Sequence, residues 1–378
     1  MKCIDEIPVA ELSGKRVVLR ADFNVPFDAH GNVSDVFRLK RGWDTVQYLR
    51  DAGARVVLLS HIGREPGETL APVAHALQRF GPVVRIPDLT GHAAKGAVAA
   101  LKDGDVVLLE NVRSDVRETK NDESLAKELA AYGELFVNDA FAAAHRAHAS
   151  TVGIAKFLPS YAGLLMRDEI RELNNALKPR SPSFAILGGA KFETKAPLIK
   201  NLLATYDHLF ITGALANDVF KAQGFPVGRS RVSEELPSLD ILQHPSLVRT
   251  LDVVAERPDG HAQVKKPQDV TAEDKIVDMG PDTFAAMTPL LEKAEFILWN
   301  GPTGLYEDGY VSWTHAIAEL LAKRAAAGAS VVIGGGDTIA AIQDAGISME
   351  KMGFLSTGGG AMLEYLLKGT LPAIEALG

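Results

Sequence analysis

Val331-Val332-Ile333-Gly334-Gly335-Gly336-Asp337-Thr338 decides how this chain is read. Three β-branched residues form a short buried strand. Three glycines, an acid and a hydroxyl follow, and Ile339-Ala340-Ala341-Ile342 then starts a helix. A strand that turns through glycines into a helix leaves free backbone N–H groups and a positive helix end at the carboxyl edge of a sheet. That is a site for an anion such as phosphate. Ile186-Leu187-Gly188-Gly189-Ala190-Lys191 and Leu355-Ser356-Thr357-Gly358-Gly359-Gly360 have the same form. One such turn can be geometry alone; three in half a chain favour phosphate.

The rest of the sequence surrounds these turns with strand–helix alternation. Strands are expected at 16–21, 55–60, 82–86, 105–109 and 134–137, then near 184–187, 208–211, 251–254, 296–299, 331–333 and 353–355. Their cores are continuous apolar runs, the mark of parallel sheets covered on both faces. Helices fall between them, such as 38–52 with Leu39, Trp43, Val46 and Leu49 on one face. Residues 161–177 read as one long helix closed by Pro179-Arg180-Ser181-Pro182, and 224–250 and 258–275 as looser chain. The expected class is α/β, with two doubly wound parallel-sheet (Rossmann-like) domains joined by a hinge helix. The bounds are 1–158, 159–178 and 179–364, with the tail from about 365 to 378 returning to the first domain.

Composition sets limits. At 378 residues two domains are the expectation. The net charge of −8 argues against nucleic-acid or anionic-membrane partners. Residues 1–160 carry 20 basic and 21 acidic side chains, and the remainder 20 and 27, so the first half has more cation to spare for an anionic substrate. A lone Cys3 allows no disulfide framework. The amino terminus does not resemble a signal peptide, and no stretch approaches the ~18–20 apolar residues of a membrane span. A cytoplasmic protein is expected.

Polar residues collect just past strand ends: Asp22 and Asn24; His61 and Arg64; Arg113; Arg146; and, at a helix start, Arg38. Arginine's planar fork suits phosphate and carboxylate oxygens. His145 and His148 lie three apart but have no evident third ligand, which argues against a metal site. In the second half Lys191 and Lys195 follow a glycine turn, and Trp299-Asn300-Gly301-Pro302-Thr303-Gly304-Leu305-Tyr306-Glu307 follows a strand. Asp337 suits a Mg²⁺ carried by a nucleotide, or a helix N-cap. The P-loop, dinucleotide and protein-kinase strings are absent.

Nine strings, in order, resemble the motifs of the phosphoglycerate kinase family: Arg20-Ala-Asp-Phe-Asn-Val-Pro26, Ser60-His-Ile-Gly-Arg64, Leu109-Glu-Asn-Val-Arg113, Val137-Asn-Asp-Ala-Phe141, Ala144-His-Arg-Ala-His148, Gly188-Gly-Ala-Lys191, Trp299-Asn-Gly-Pro302, Gly334-Gly-Gly-Asp-Thr338 and Ser356-Thr-Gly-Gly-Gly-Ala361. They span essentially the whole chain. The resemblance implies a monomer with a 3-phosphoglycerate domain, a nucleotide domain and a hinge that closes the cleft between them. It implies transfer between 1,3-bisphosphoglycerate and MgADP to give 3-phosphoglycerate and MgATP. It assigns Asp22, Phe23, Asn24, Arg38, His61, Ile62, Gly63, Arg64, Arg113 and Arg146 to the glycerate substrate. Lys195, Gly213, Asn300, Pro302, Glu307, Gly334, Gly335, Gly336, Asp337 and Thr338 go to ATP or ADP, with Asp337 on Mg²⁺. Arg38, Lys191, Gly359 and Gly360 go to the transferring phosphoryl. Ala21 departs from the family's usual valine, Gly213-Ala-Leu-Ala216 is less glycine-rich than in many members, and the turn Tyr306-Glu307-Asp308-Gly309-Tyr310 differs from the common phenylalanine-containing form.

Overall fold

A computed structural model describes residues 1–65 and 67–378. The chain divides into two compact units: Met1–Arg171 with Lys368–Gly378, and Glu172–Leu367. The boundary falls inside the helix Leu164–Leu177. Each unit is a parallel-sheet α/β domain, as the alternation of apolar strands and helices requires.

In the first unit the strands are β1 Arg16–Arg20, β2 Arg55–Leu59, β3 Val84–Arg85, β4 Val106–Leu108, β5 Leu135–Asn138 and β6 Ser160–Ala162, all paired in parallel in the order β3-β4-β2-β1-β5-β6. After β1 the chain lays β2, β3 and β4 on one side, with β3 at the edge, then crosses to β5 on the other. The polar sequence after β1 therefore opens at the point where the strand order reverses, the place where α/β sheets leave a crevice. The helix Phe37–Asp51 buries Leu39, Trp43, Val46 and Leu49, the stripe read from its spacing.

In the second unit the strands are β7 Ser183–Leu187, β8 His208–Ile211, β9 Leu247–Val248, β10 Val253–Glu256, β11 Ala262–Lys265, β12 Lys275–Met279, β13 Phe296–Asn300, β14 Ser330–Gly334 and β15 Phe354–Leu355. Six form a parallel sheet in the order β15-β14-β13-β7-β8-β9. Here the order reverses between β7 and β13, which brings their glycine ends into contact. Gly188 N–H donates to the Asn300 carbonyl at 2.7 Å. Gly301 has φ +99°, and a Cβ on it would lie 2.7 Å from the Gly188 Cα.

Three expectations need correction. Residues 160–162 are strand β6, not helix, and the helix starts only at Leu164. A three-residue strand is too short to show its own period, and Gly163 packs so tightly on Asp139 that a Cβ would lie 2.1 Å from a carboxylate oxygen. The strand placed at 251–254 is β10, and it belongs to an antiparallel sheet β11-β10-β12 rather than to the parallel one. Much of 258–275 read as loose because β11 is largely exposed and polar, so no apolar run marks it. Finally, Asp337 is not the helix cap: Gly335 is the N-cap residue of Gly336–Asp344, and the helix has no side-chain cap hydrogen bond.

The contact between glycines gives a test of this packing. Gly301→Ala adds both a strained positive φ and a clash with backbone, whereas Gly309→Ala (φ +87°) meets nothing within 4 Å. Strain alone costs roughly 1–3 kcal/mol at either site. Urea unfolding followed by the fluorescence of buried Trp299 should show Gly301→Ala as clearly the more destabilised of the two.

Candidate active site

In the first unit the site grows from a buried charge at the end of β1. Arg20 is 1% exposed. Its Nε donates to Ser150 Oγ at 2.9 Å, its Nη2 to His61 Nδ1 at 3.0 Å, and its Nη1 to the Ala21 carbonyl. The Ser150 hydroxyl donates in turn to Glu118 Oε1 at 2.6 Å, and the Ser150 N–H to Oε2 at 2.9 Å. A buried cation is tolerable only with such partners. A guanidinium only donates, so Nδ1 of His61 must accept, and the ring is the neutral tautomer with its proton on Nε2. Burial lowers the His61 pKa to about 3; Asp22 opposes the shift, and Arg20, Arg113 and Arg146 add to it. Burial and the same arginines push His148 down to about 4.

Past Arg20 the strand delivers Asp22, Phe23 and Asn24. Arg38 Nη1 donates to Asp22 Oδ2 at 3.2 Å and to the Asn24 carbonyl at 3.3 Å. Burial works to raise the Asp22 carboxyl, but the Arg38 and Arg20 cations and the Asn24 N–H hold it below the ordinary carboxylate range. Gly63 N–H donates to Asn24 Oδ1 at 2.9 Å, and Arg113 donates to the Gly63 carbonyl. Asn111 pins this loop: its Oδ1 accepts from Ile62 and Arg113 N–H groups, and its Nδ2 donates to the Ile62 and Glu68 carbonyls. Asp22, Asn24, Arg38, His61, Gly63 and Arg113 thus form one connected edge. The side chains of Phe23 and Ile62 belong to the apolar core beneath it. Arg64 and Arg146 are exposed, and Arg146 donates through Nε to His145 Nε2 at 3.1 Å.

In the second unit a cavity of about 560 Å³ brings Gly213, Pro302, Glu307 and Asp337 together with the apolar side chains of Phe220 and Ile276. That volume and lining suit a nucleoside. One wall is β12, a strand the sequence reading did not place. Asp278 of that strand is 5% exposed, and burial raises its carboxyl to about 7 against hydrogen bonds from Thr303, Met279 and Trp313. Thr338 Oγ1 accepts from Gly301 N–H at 2.8 Å, which ties the β14 turn to the β13 turn. Asn300 is buried at the end of β13. Lys195 is half-buried against Gly189, where a Cβ would meet its Cε at 2.9 Å. Burial lowers its pKa, and among the described residues it has no ion pair. Lys191 is exposed with φ 66°. At the third glycine turn Gly359 has φ 52°, and the helix Gly360–Lys368 begins directly after it.

Sequence reasoning did not single out Arg20, Ser150, Glu118, Asn111 or Asp278. Arg20 carried a signal, as the charge that closes the apolar run Val17-Val18-Leu19. Glu118 carried none, because nothing local distinguishes it from a surface glutamate.

An edge of ordered cations on one unit, and on the other a nucleoside-sized cavity ringed by glycine turns with an unpaired lysine, define a phosphotransferase. A family model described as phosphoglycerate kinase matches residues 5–369. Phosphoglycerate kinase of Pelotomaculum thermopropionicum is 44% identical over 388 aligned positions, covering 97% of each chain. That of Chloroflexus aurantiacus strain J-10-fl is 41% identical over 388 positions, covering 97% of this chain and 96% of its own. The structure of phosphoglycerate kinase from Coxiella burnetii matches with a TM-score of 0.84 at 37% identity, over 99% of this chain and 98% of its own. The Pyrococcus horikoshii OT3 enzyme matches at 0.85 and 31%, over 100% and 98%. This chain belongs to the phosphoglycerate kinase family.

The neutral His61 ring is directly observable. Nitrogen NMR of the ring should report the Nε2–H tautomer from neutral pH down to about 4.5; protonation near the ordinary 6.5 would contradict the geometry. Because the unfolded chain binds the proton first, His61's contribution to stability is intact above about 6.5 and is lost as pH falls toward 3.

Proposed function

We propose that the chain catalyses reversible phosphoryl transfer between 1,3-bisphosphoglycerate and MgADP, giving 3-phosphoglycerate and MgATP. The observation that carries this is the gathering of Asp22, Asn24, Arg38, His61, Gly63 and Arg113, from four separate stretches, onto one sheet edge. The first unit holds the glycerate substrate there, with Arg64 and Arg146 completing a basic patch for its phosphate. The second holds the nucleotide: Gly213, Pro302 and Glu307 around the nucleoside, and Lys195, Asn300, Gly334–Gly336 and Thr338 toward the phosphates.

The chemistry asks little beyond this. When 3-phosphoglycerate is phosphorylated the nucleophile is a carboxylate, whose pKa of about 4 leaves it ionised at neutral pH, so no general base is required. What remains is to assemble several negative oxygens and stabilise the charge of an in-line transfer. Arg38, Lys191 and the backbone N–H groups of Gly359 and Gly360 are the groups for that task. Asp22 keeps Arg38 in place through the 3.2 Å contact. An acyl phosphate hydrolyses readily, so a hinge that closes the two units over both substrates serves to exclude water.

The residues fit a Mg²⁺ that arrives with the nucleotide. Among the described residues no group of three or more His, Cys, Asp and Glu is arranged to cage a metal. Asp337 is an exposed carboxylate on the cavity wall with no capping duty. One carboxylate plus phosphate oxygens is the usual way a protein shares Mg²⁺. When bound, the ion supplies charge neutralisation at those oxygens.

The protein works as a cytoplasmic monomer with no nucleic-acid or membrane partner on this reading. Among the described residues no helix is long and apolar enough to cross a membrane.

Turnover of 3-phosphoglycerate with MgATP, coupled to glyceraldehyde-3-phosphate dehydrogenase, tests the reading; no turnover would refute it. In the same assay Arg38→Ala should lower kcat by on the order of 10²–10³ with nucleotide affinity nearly intact, and a near-normal kcat would remove its assigned role. Asp337→Ala should weaken Mg-nucleotide binding about 10- to 100-fold by titration calorimetry; unchanged affinity would remove Asp337 from the metal.

A further inference from the structure

The helix Phe192–Thr205, which carries Lys195, begins without a cap of its own. Its N-cap residue is Lys191, in the left-handed region at φ 66° and ψ 84°, with no side-chain cap hydrogen bond. A lysine side chain has only donors, so it cannot satisfy the N–H groups exposed at a helix start. The cap comes from a distant loop. Ser233 Oγ accepts from Phe192 N–H at 2.8 Å.

Ser233 is in turn held by Asp218. The Ser233 N–H donates to Asp218 Oδ1 at 2.7 Å, and its hydroxyl donates to Oδ2 at 3.0 Å. Asp218 is 1% exposed and sits on the helix Ala214–Ala222. Its carboxylate fixes the direction of the hydroxyl proton. With that proton committed to Oδ2, the lone pairs of Oγ face the Phe192 N–H. The helix bearing Asp218 also lines the nucleoside cavity through Ala214, Ala216 and Asn217. One chain of hydrogen bonds therefore runs from a helix that lines the cavity to the residue next to Lys191. A lysine at positive φ is held there by its surroundings rather than by its own preference; this chain grips the N–H of the adjoining peptide from outside the helix, while the Thr194 hydroxyl holds the Lys191 carbonyl at 2.9 Å from within it.

We infer that Asp218 and Ser233 are positioning residues for phosphoryl transfer: they cap the lysine helix from outside, hold Lys191 in its left-handed conformation, and so aim Lys191 and Lys195 at the phosphates. This rests on the assignment of the two lysines under the reading above. Neither Asp218 nor Ser233 needs to touch a substrate. A device of this kind acts on the geometry of transfer more than on ground-state binding in the other unit, so it moves kcat and leaves the KM for 3-phosphoglycerate alone.

The test is steady-state kinetics on Ser233→Ala, Ser233→Thr, Asp218→Asn and Lys191→Ala, with thermal melts to confirm folding. Ser233→Ala should lower kcat about tenfold or more, since misplacement of a reacting group by an ångström is enough for that, with the KM for 3-phosphoglycerate unchanged. Ser233→Thr keeps the hydroxyl and should recover most of kcat. Asp218→Asn can donate to Oγ and reverse the bond direction, so it should resemble Ser233→Ala. A wild-type kcat in Ser233→Ala beside a crippled Lys191→Ala overturns the inference alone, as does equal loss in the alanine and threonine variants. A wild-type kcat in Lys191→Ala overturns the lysine assignment and the inference with it.

Discussion

A strand inside a parallel sheet has its backbone groups committed to both neighbours and its side chains covered on both faces, so polar chemistry is forced to the strand ends. In β1 four of five residues are buried, and in β7 and β13 all five are. Asp22, Asn24 and His61 follow strands of the first unit, as Gly188, Gly301 and Gly335 follow strands of the second. Where strand order reverses, these ends face a crevice. In the second unit the reversal also presses two chain turns together, which only glycines permit: Gly188 and Gly301 approach so closely that neither can carry a Cβ in place. Glycine here serves packing first: the Gly188 N–H is taken by the Asn300 carbonyl and the Gly301 N–H by Thr338 Oγ1, so the close turns are locked by their own hydrogen bonds.

The first unit solves a different problem. Its edge is built on Arg20, a charge with almost no contact with water. The guanidinium distributes its donors among Ser150, His61 and a backbone carbonyl, and Glu118 balances it through the serine. One consequence is electrostatic: His61 and His148 stay neutral beside the arginines. The patch therefore owes its positive charge to the arginines alone. Such a patch keeps its charge across the physiological range and matches phosphate without itself titrating.

Much of this was legible in the sequence, and particular residues show why. Apolar runs ending in Asp22, His61 or Gly334 give both a strand and its exit, so the parallel sheets and the site edges followed from local pattern. Helix 37–51 was readable because its stripe repeats four times. β6 was not, since three residues carry no period, and β11 was not, since an exposed antiparallel strand looks like loop. Asp337 beside Thr338 suggested a cap, yet the helix starts two residues earlier than that cap would set it, and the side chain lines the cavity instead of capping a backbone N–H. Glu118, Ser150 and Asp278 owe their character to burial by distant segments, which no local string records.

On the proposed reading each unit supplies only half of a site: cations and a carboxylate-binding edge on one, glycine turns and lysines on the other. Neither half can complete a transfer, and water must stay out until both substrates are present. The most direct test is small-angle scattering of the full chain, alone, with 3-phosphoglycerate, with a non-hydrolysable MgATP analogue, and with both. The account predicts a smaller radius of gyration only with both ligands. An unchanged radius in the ternary sample, or full compaction with a single ligand, would contradict it.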